Sequence, residues 1–323
     1  MKEVPDALVI YLTEQRDPIK TRDVNRAGVF DILFLPEEIH ALPDVLNRAS
    51  NFLENRSERK KETANFSWGR GQVISFYSGK GGSGRSLVSS TLAQTIGLDS
   101  NSSVLLVDLN LQFGGVETYL DVEHDRSIAD LTPVLHELND NHIRNVTSVE
   151  QHSQAEILIS PADAEIGEQI TEEHVARLLR SARLYYDYIL VDLPTDMNSL
   201  SFTALEEADR IFYVMTPDSP AMRVLGTVLE LFEKIGVDPQ ERLELLINRK
   251  SRDTELSVKD ITRHFPFPVI GELREDAKKV QQLINRGKLL RTSRKERGLS
   301  IFARDVQKLA LLLLKQQDSR TAS

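Results

Sequence analysis

Short apolar runs alternate with segments of helical spacing along most of the chain. Five of these runs, between residues 72 and 247, are almost continuously apolar. They are Val73–Tyr77, Val104–Val107, Tyr188–Val191, Ile211–Met215 and Leu243–Ile247. Strands that crossover helices cover on both faces have this composition. The pattern therefore predicts an α/β fold with a doubly wound, mostly parallel sheet over residues 71–316.

The first 49 residues show the same alternation on a smaller scale. Apolar runs at 7–12 and 30–35 predict two strands, and the spacing over 23–27 and 39–49 predicts two helices. An order of strand, helix, strand and helix favours parallel pairing. Region 1–49 is therefore predicted to be a second, smaller α/β unit.

Composition and charge exclude several classes of function. Of 323 residues, 49 are acidic, 40 are basic and none is cysteine, which excludes disulfides, thiolate metal sites and a cysteine nucleophile. The net charge of −9 argues against attraction of the whole surface to DNA or to anionic lipid. The N-terminus lacks an apolar signal core, and the longest apolar run, Leu309–Leu314, is far shorter than the roughly 20 residues of a membrane span. We therefore expect a cytoplasmic protein.

A glycine-rich loop follows the strand at Val73–Tyr77 and opens a helix, which is the context of a phosphate-binding loop. Glycines allow successive backbone N–H groups to face one anion, and the helix adds its positive dipole end. Ser86 stands where a hydroxyl would bind Mg²⁺. The candidate phosphate-binding residues are Gly79, Lys80, Gly81, Gly82, Ser83, Gly84, Arg85 and Ser86.

Two features distinguish this loop from the common phosphate-loop pattern. Arg85 occupies the usual lysine position, and an additional lysine, Lys80, stands near the start of the loop. The segment resembles the deviant Walker A motif of the MinD/ParA family of dimeric ATPases. This resemblance implies ATP and Mg²⁺ as cofactors and a homodimer in which Lys80 reaches the partner's nucleotide.

Polar side chains end two of the predicted strands. Asp108 and Asp192 follow apolar runs, at the end of the strand that faces the ligand crevice in such sheets. The family resemblance implies that Asp192 holds Mg²⁺ and that Asp108 supports the attacking water. It also implies a second aspartate at position 110, where this chain has Asn110. An amide can orient water but carries no charge, so we expect ATP hydrolysis to be slow or absent.

Three later residues resemble family landmarks near the base. Asn248, which closes the run Leu243–Ile247, is either a reader of the adenine or an ordinary turn residue. Pro217 and Asp276 are further candidates for this region.

Residues 5–49 resemble the second half of a response-regulator receiver domain. The run ending at Leu12, followed by Thr13, resembles its fourth strand and switch threonine, and Ala27–Pro36 resembles its last strand, with Leu35 at the receiver lysine position. The phosphoacceptor part is missing, so the region is either a degenerate pairing module or a truncated domain. An exposed half sheet favours pairing with another chain.

A receiver-like front joined to a MinD-like ATPase resembles the TadZ/CpaE proteins of tight-adherence (Flp-type) pilus assembly. The segments Val107–Val116 and Ser127–Leu131 also resemble that branch. The resemblance implies pilus secretion or assembly proteins as partners. Recruitment to the inner face of the membrane or to a cell pole stays open.

Residues 50–70 are dense in charge and predict a solvated linker between the two regions.

Two later segments bear on binding to DNA and to the membrane. The basic stretch 286–297 is interpreted as a solvated turn rather than a DNA site, because the whole chain is acidic. The tail 317–323 is polar, so we expect no direct binding to the membrane.

Three functions remain open from the sequence. The favoured one is a dimerising, ATP- and Mg²⁺-binding protein that positions a pilus assembly machine. The second is a competent ATPase of a division-site, flagellar or DNA-segregation system, and the third is a scaffold that no longer binds nucleotide.

Overall fold

The computed structural model of the protein describes residues 9–15, 20, 24, 29–43, 45–46, 71–123, 126–254 and 256–321. The predicted linker at 50–70 and most of the predicted helix at 23–27 lie outside the described residues.

The strands begin and end close to the predicted apolar runs. They are β1 Val9–Thr13, β2 Val29–Phe34, β3 Gln72–Tyr77, β4 Val104–Asp108, β5 Ser148–Val149, β6 Glu156–Leu158, β7 Tyr188–Asp192, β8 Arg210–Met215, β9 Leu243–Lys250 and β10 Val269–Arg274.

The helices lie mainly in the connections between these strands. They are α1 Arg85–Asp99, α2 Val116–Leu120, α3 Asp140–Arg144, α4 Ala164–Gly167, α5 Glu172–Ala182, α6 Ser199–Glu207, α7 Ser219–Ile235, α8 Val258–His264, α9 Ala277–Ile284 and α10 Ile301–Thr321, with 3₁₀ helices at Ile39–Ala41 and Ile128–Glu137.

Eight strands form the main sheet in the order β10-β9-β8-β3-β7-β4-β6-β5, and only the short β5 runs antiparallel to its neighbour. Side chains of β3, β4, β7 and β8 are almost all buried, because one apolar cluster packs on each face of the sheet. One cluster contains residues of α1 and α10, and the other contains residues of α5, α6 and α7. The predicted doubly wound α/β fold is confirmed.

The chain order creates a crevice at the centre of this sheet. From β3 the chain crosses to β4 on one side, and after β7 it continues to β8 on the other side of β3. Ligands of such sheets bind outside the carboxyl ends of the strands where the order reverses. The phosphate loop and both predicted carboxylates lie at this edge.

The last helix, α10, has the predicted apolar face, and it continues into the segment that was predicted to be a polar tail. Its apolar face (Phe302, Val306, Leu309, Ala310 and Leu313) is buried, as its spacing predicted. The helix continues to Thr321, so the predicted polar tail starts within it. No helix in the described part of the chain has the length and apolar character needed to cross a membrane.

In the front region, β1 and β2 pair in parallel, as their order predicted. Leu33 of β2 and Val45 form a small buried cluster, and Leu184 of the larger region packs against it. Of the predicted helix at 39–49, Ile39–Ala41 forms a 3₁₀ turn and residues 42–43 and 45–46 are helical, whereas residues 44 and 47–49 lie outside the described part.

Candidate functional site

The phosphate loop, Ser78–Ser86, follows β3 and ends in the first turn of α1. Its backbone has φ angles of +73° at Gly82 and +87° at Gly84, in the left-handed region that favours glycine. A side chain at Gly84 would place its Cβ 2.4 Å from Asn248 Nδ2, so glycine is required there. A Cβ at Gly81 or Gly82 would meet no atom within 4 Å, so this part of the loop is open to a ligand.

The carboxylate of Asp192, at the end of β7, connects two residues of the phosphate loop. Arg85 Nε donates to Asp192 Oδ1 at 3.2 Å, and the Ser86 hydroxyl donates to Asp192 Oδ2 at 2.6 Å. Burial raises the pKa of Asp192, and the positive charge of Arg85 and the hydrogen bond from Ser86 oppose that rise. The structure thus brings together the three side chains that the sequence assigned to phosphate and Mg²⁺.

Asp108 ends β4 and lies beside Asp192 in the register of the adjacent strands. Its carboxylate accepts the backbone N–H of Asn110 at 2.9 Å and that of Val116 at 3.4 Å. Burial, and then the negative charge of Asp192, raises the pKa of Asp108 well above its ordinary value. Two buried carboxylates side by side make a site that a divalent cation would stabilise.

We expect Asp108→Asn to reduce the loss of stability that accompanies rising pH when nucleotide and metal are absent. A carboxyl group with a raised pKa in the folded state stabilises the fold below its unfolded pKa, near about 4, and this contribution is lost as the pH rises through the folded pKa. Between about pH 5 and about pH 8, the wild-type free energy of unfolding should fall by at least about 1 kcal/mol more than that of the variant. Urea unfolding at both pH values measures this difference. If the free energy of unfolding changed equally in the two proteins, the raised pKa of Asp108 would be contradicted.

Asn110 closes the loop that follows β4. Its side-chain Nδ2 donates to the Gly114 carbonyl at 2.9 Å, and its backbone carbonyl accepts the N–H groups of Phe113 and Gly114 at 3.3 and 2.8 Å. An aspartate at this position could not donate to Gly114. The residue that was predicted to orient water therefore also holds a loop in place.

Lys80 bonds within its own chain. Its ammonium lies 2.9 Å from both carboxylate oxygens of Asp218 and 3.1 Å from Thr216 Oγ1. The ammonium-bearing side chain is 33% exposed and that of Asp218 is 39% exposed. The lysine is therefore held by a solvent-accessible ion pair beside the loop.

A cavity of about 600 Å³ adjoins the phosphate loop. It is lined by Pro217, which the sequence placed near the base, and by Arg249 and Glu275. Asn248 is buried instead, and its Nδ2 donates to the Ser83 carbonyl at 2.7 Å. In this structure the predicted base reader supports the phosphate loop, and its role toward adenine stays a prediction.

Sequence reasoning missed Thr216, Asp218 and Arg249. The first two follow the buried strand β8 and flank Pro217, so their position at a carboxyl strand end was an available signal. Arg249 has a left-handed backbone with φ of +57°, which the sequence alone does not reveal.

Asp276 is the other residue that the sequence analysis named as a candidate near the base. Its carboxylate accepts the N–H of Ile301 at 2.7 Å, at the start of α10.

The basic stretch is divided by the fold. Arg291 is fully buried and donates to Asp99 at 2.9 Å, whereas Arg286, Lys288, Arg294, Lys295 and Arg297 are exposed.

Within the described ranges, no group of three or more His, Cys, Asp or Glu side chains could hold a metal ion. A Mg²⁺ ion bound to phosphate needs only one or two protein carboxylates.

Comparison with known proteins identifies similar chains. A family model described as an AAA domain matches residues 71–245, more than half of the chain. The septum site-determining protein MinD of Helicobacter pylori is 26% identical over 214 residues, which cover 63% of this chain and 78% of that protein.

Solved structures match the larger region. A ParA family ATPase from Chlorobium tepidum is 25% identical with a TM-score of 0.67, covering 75% of this chain and 98% of its own. The cell division ATPase MinD of Pyrococcus furiosus is 22% identical with a TM-score of 0.63, covering 76% of this chain and 99% of its own. These likenesses confirm the fold of a MinD/ParA-type P-loop protein.

Proposed function

The chain belongs to the AAA-domain family that its residues 71–245 match, and from this premise we propose that it is a dimerising, ATP- and Mg²⁺-binding protein that positions a tight-adherence pilus assembly machine, with slow or absent hydrolysis. One observation carries the nucleotide part of this proposal. The phosphate loop, Ser86 and Asp192 converge at the carboxyl edge of β3 and β7, where α1 begins.

The residues at this edge fit Mg²⁺ and ATP. The open glycine loop and the first turn of α1 provide backbone N–H groups for the phosphates. Arg85 would bind the phosphates through its guanidinium, and Ser86 and Asp192 would hold the ion, whose charge offsets the neighbouring carboxylates. Pro217 and the cavity beside it would receive the base, with Asn248 supporting the loop from below.

Slow hydrolysis follows from two residues of the site. The Arg85 guanidinium is planar and wider than the compact ammonium of the lysine in the common pattern. It therefore contacts the phosphate oxygens in a different geometry. Asn110 has no charge, and one of the two N–H donors of its side-chain amide is bonded to Gly114. Asp108 would then be the carboxylate closest to the water site, next to a side chain that cannot act as a base.

The pilus assignment rests on the resemblance of Val107–Val116 and Ser127–Leu131 and on the joining of a receiver-like front to this ATPase. Similar proteins bear the names septum site-determining protein MinD and ParA family ATPase, which supports a role in positioning. In the alternative, the chain is a competent ATPase of a division-site, flagellar or DNA-segregation system. A scaffold without nucleotide is the third possibility.

We expect the wild-type protein to bind ATP with Mg²⁺ and to turn it over at least about tenfold more slowly than an Arg85→Lys, Asn110→Asp double variant. Calorimetry and a thermal shift measure binding, and phosphate release measures turnover. The two single variants show which substitution carries the change.

Each alternative predicts a different outcome of these measurements. A wild-type rate equal to that of the double variant would favour the competent ATPase. The absence of both heat and thermal shift would favour the scaffold. In the host cell, loss of the protein should remove tight-adherence pili, and intact pili with misplaced septa or plasmids would contradict the pilus assignment.

A further inference from the structure

A positively charged side chain of the phosphate loop contacts the carboxylate that the proposed function assigns to Mg²⁺. Arg85 Nε donates to Asp192 Oδ1 at 3.2 Å, and the Ser86 hydroxyl donates to Asp192 Oδ2 at 2.6 Å. The side chains of Arg85 and Asp192 are 10% and 1% exposed, so this ion pair is shielded from water. Both oxygens of Asp192 therefore accept hydrogen bonds from the first turn of α1.

Arg85 provides the counter-charge that the buried carboxylate needs. Asp108, which is 1% exposed, lies beside Asp192 in the register of the adjacent strands, and their negative charges repel each other. The other cation of the loop, Lys80, donates instead to Asp218 at 2.9 Å. A buried charge that loses its partner is strongly destabilising. Of the two cations in the phosphate loop, it is therefore Arg85 that neutralises Asp192.

An arginine and a metal ion compete for the same carboxylate. Mg²⁺ holds its oxygen ligands at roughly 2.0–2.1 Å and tolerates little departure from octahedral geometry. The guanidinium nitrogen, 3.2 Å from Asp192 Oδ1, brings a positive charge to that coordination shell. Two cations at such short range repel each other, and more strongly where water is excluded. Arg85 and Mg²⁺ thus exclude each other from Asp192 Oδ1.

The shape of the guanidinium allows Arg85 to exchange partners. Nε makes the contact with Asp192, and the two Nη atoms carry four further N–H groups for the oxygens of a phosphate. Arg85 is the first residue of α1 and follows the open glycines Gly81 and Gly82, where a phosphate would bind. A phosphate bound there can accept from the Nη atoms before the contact of Nε is lost. A lysine would offer one compact ammonium and no such fork.

We propose that Arg85 is a tethered counter-ion of Asp192, which keeps Mg²⁺ away from the nucleotide-free site and moves to the phosphates when ATP binds. This inference rests on the proposed function, in which Asp192 and Ser86 hold the ion. An order of binding follows from the exchange, because nucleotide first releases the Asp192 carboxylate that the metal requires. By linkage, nucleotide and Mg²⁺ then strengthen each other's binding through the position of one side chain.

The test measures the effect of Mg²⁺ alone, without nucleotide, on the wild type and on Arg85→Gln by thermal melts and calorimetry. The wild-type melting temperature should not respond to Mg²⁺. Arg85→Gln leaves Asp192 without its counter-ion, so the variant should melt at a lower temperature. Mg²⁺ should then raise its melting temperature by at least about 2 °C, and its Mg²⁺ dissociation constant should be at least about tenfold lower than that of the wild type.

Two further variants control for the loss of a charge. Lys80→Gln removes the other cation of the loop, whose partner Asp218 is 39% exposed, and it should not gain a response to Mg²⁺. Arg85→Gln combined with Asp192→Asn removes both partners of the buried pair, so this double variant should regain stability and lose the response. If Arg85→Gln folds only in the presence of Mg²⁺, that dependence is the expected response in a stronger form.

The outcomes separate this inference from the proposed function. A wild type that binds Mg²⁺ without nucleotide as tightly as Arg85→Gln does would overturn the counter-ion role and leave the proposed function standing. The same holds for an Arg85→Gln protein that ignores Mg²⁺, or that stays unfolded in Mg²⁺ while the double variant folds. A wild type that binds no ATP would overturn the proposed function and the move to the phosphates. The response to Mg²⁺ alone would still decide whether Arg85 protects Asp192 from the ion.

Discussion

Lys80→Ala is expected to abolish ATP-dependent dimer formation while the variant still binds ATP. In its own chain the Lys80 ammonium is paired with Asp218, and both side chains are about a third exposed or more, at 33% and 39%. Removing such a pair costs little stability. In the proposed dimer the same ammonium would contact phosphates bound by the partner, where water is excluded and a charged hydrogen bond is strong. Light scattering should show a dimer for the wild type and a monomer for the variant, with a dissociation constant at least about a hundredfold higher.

Asp218→Asn is the matched control for this experiment. Asp218 Oδ1 also accepts the N–H of Ala221 at 2.8 Å and caps α7, a role that asparagine fills equally well. The substitution removes the charge that holds Lys80, so the variant should form the ATP-dependent dimer at least as readily as the wild type. A Lys80→Ala protein that dimerises normally would contradict the crossing lysine. Failure of Asp218→Asn to dimerise would show that the ion pair supports the dimer.

Local patterns predicted the central part of the fold. The strands β3, β4, β7 and β8 are buried on both faces, so their sequences are almost continuously apolar and easy to recognise. The phosphate loop was also predictable, because its glycines are needed for backbone geometry that the structure confirms at Gly82 and Gly84. Both signals are contained within about ten residues of chain.

The contacts that the sequence did not reveal join distant segments. Asn248 bonds to Ser83, and Lys80 bonds to Asp218. Such pairings depend on the order of strands in the sheet and on side-chain rotamers, which no local spacing encodes. The burial of Arg291 has the same origin, because its partner Asp99 is the last residue of α1. A charge run in the sequence therefore does not distinguish a solvated arginine from a buried one.

Asp192→Asn is expected to remove the effect of Mg²⁺ on ATP binding. The Asp192 carboxylate is 1% exposed and bonded to Ser86, so these two side chains are placed to hold one ion beside the phosphates. An asparagine keeps the size of the side chain but not the charge that attracts a divalent cation. In the wild type, Mg²⁺ should strengthen ATP binding at least about tenfold, and in the variant the affinities with and without Mg²⁺ should agree.

Asp196→Asn is the control for Asp192→Asn, because Asp196 lies four residues further along, is exposed and bonds to Asn198. It should keep the full effect of Mg²⁺. Calorimetry in Mg²⁺ and in a chelator measures all three proteins, and a thermal melt checks that each is folded. If Asp192→Asn retained the Mg²⁺ effect, the ion would have to be held by Asp108, the only other carboxylate that the described residues place at the adjacent strand end.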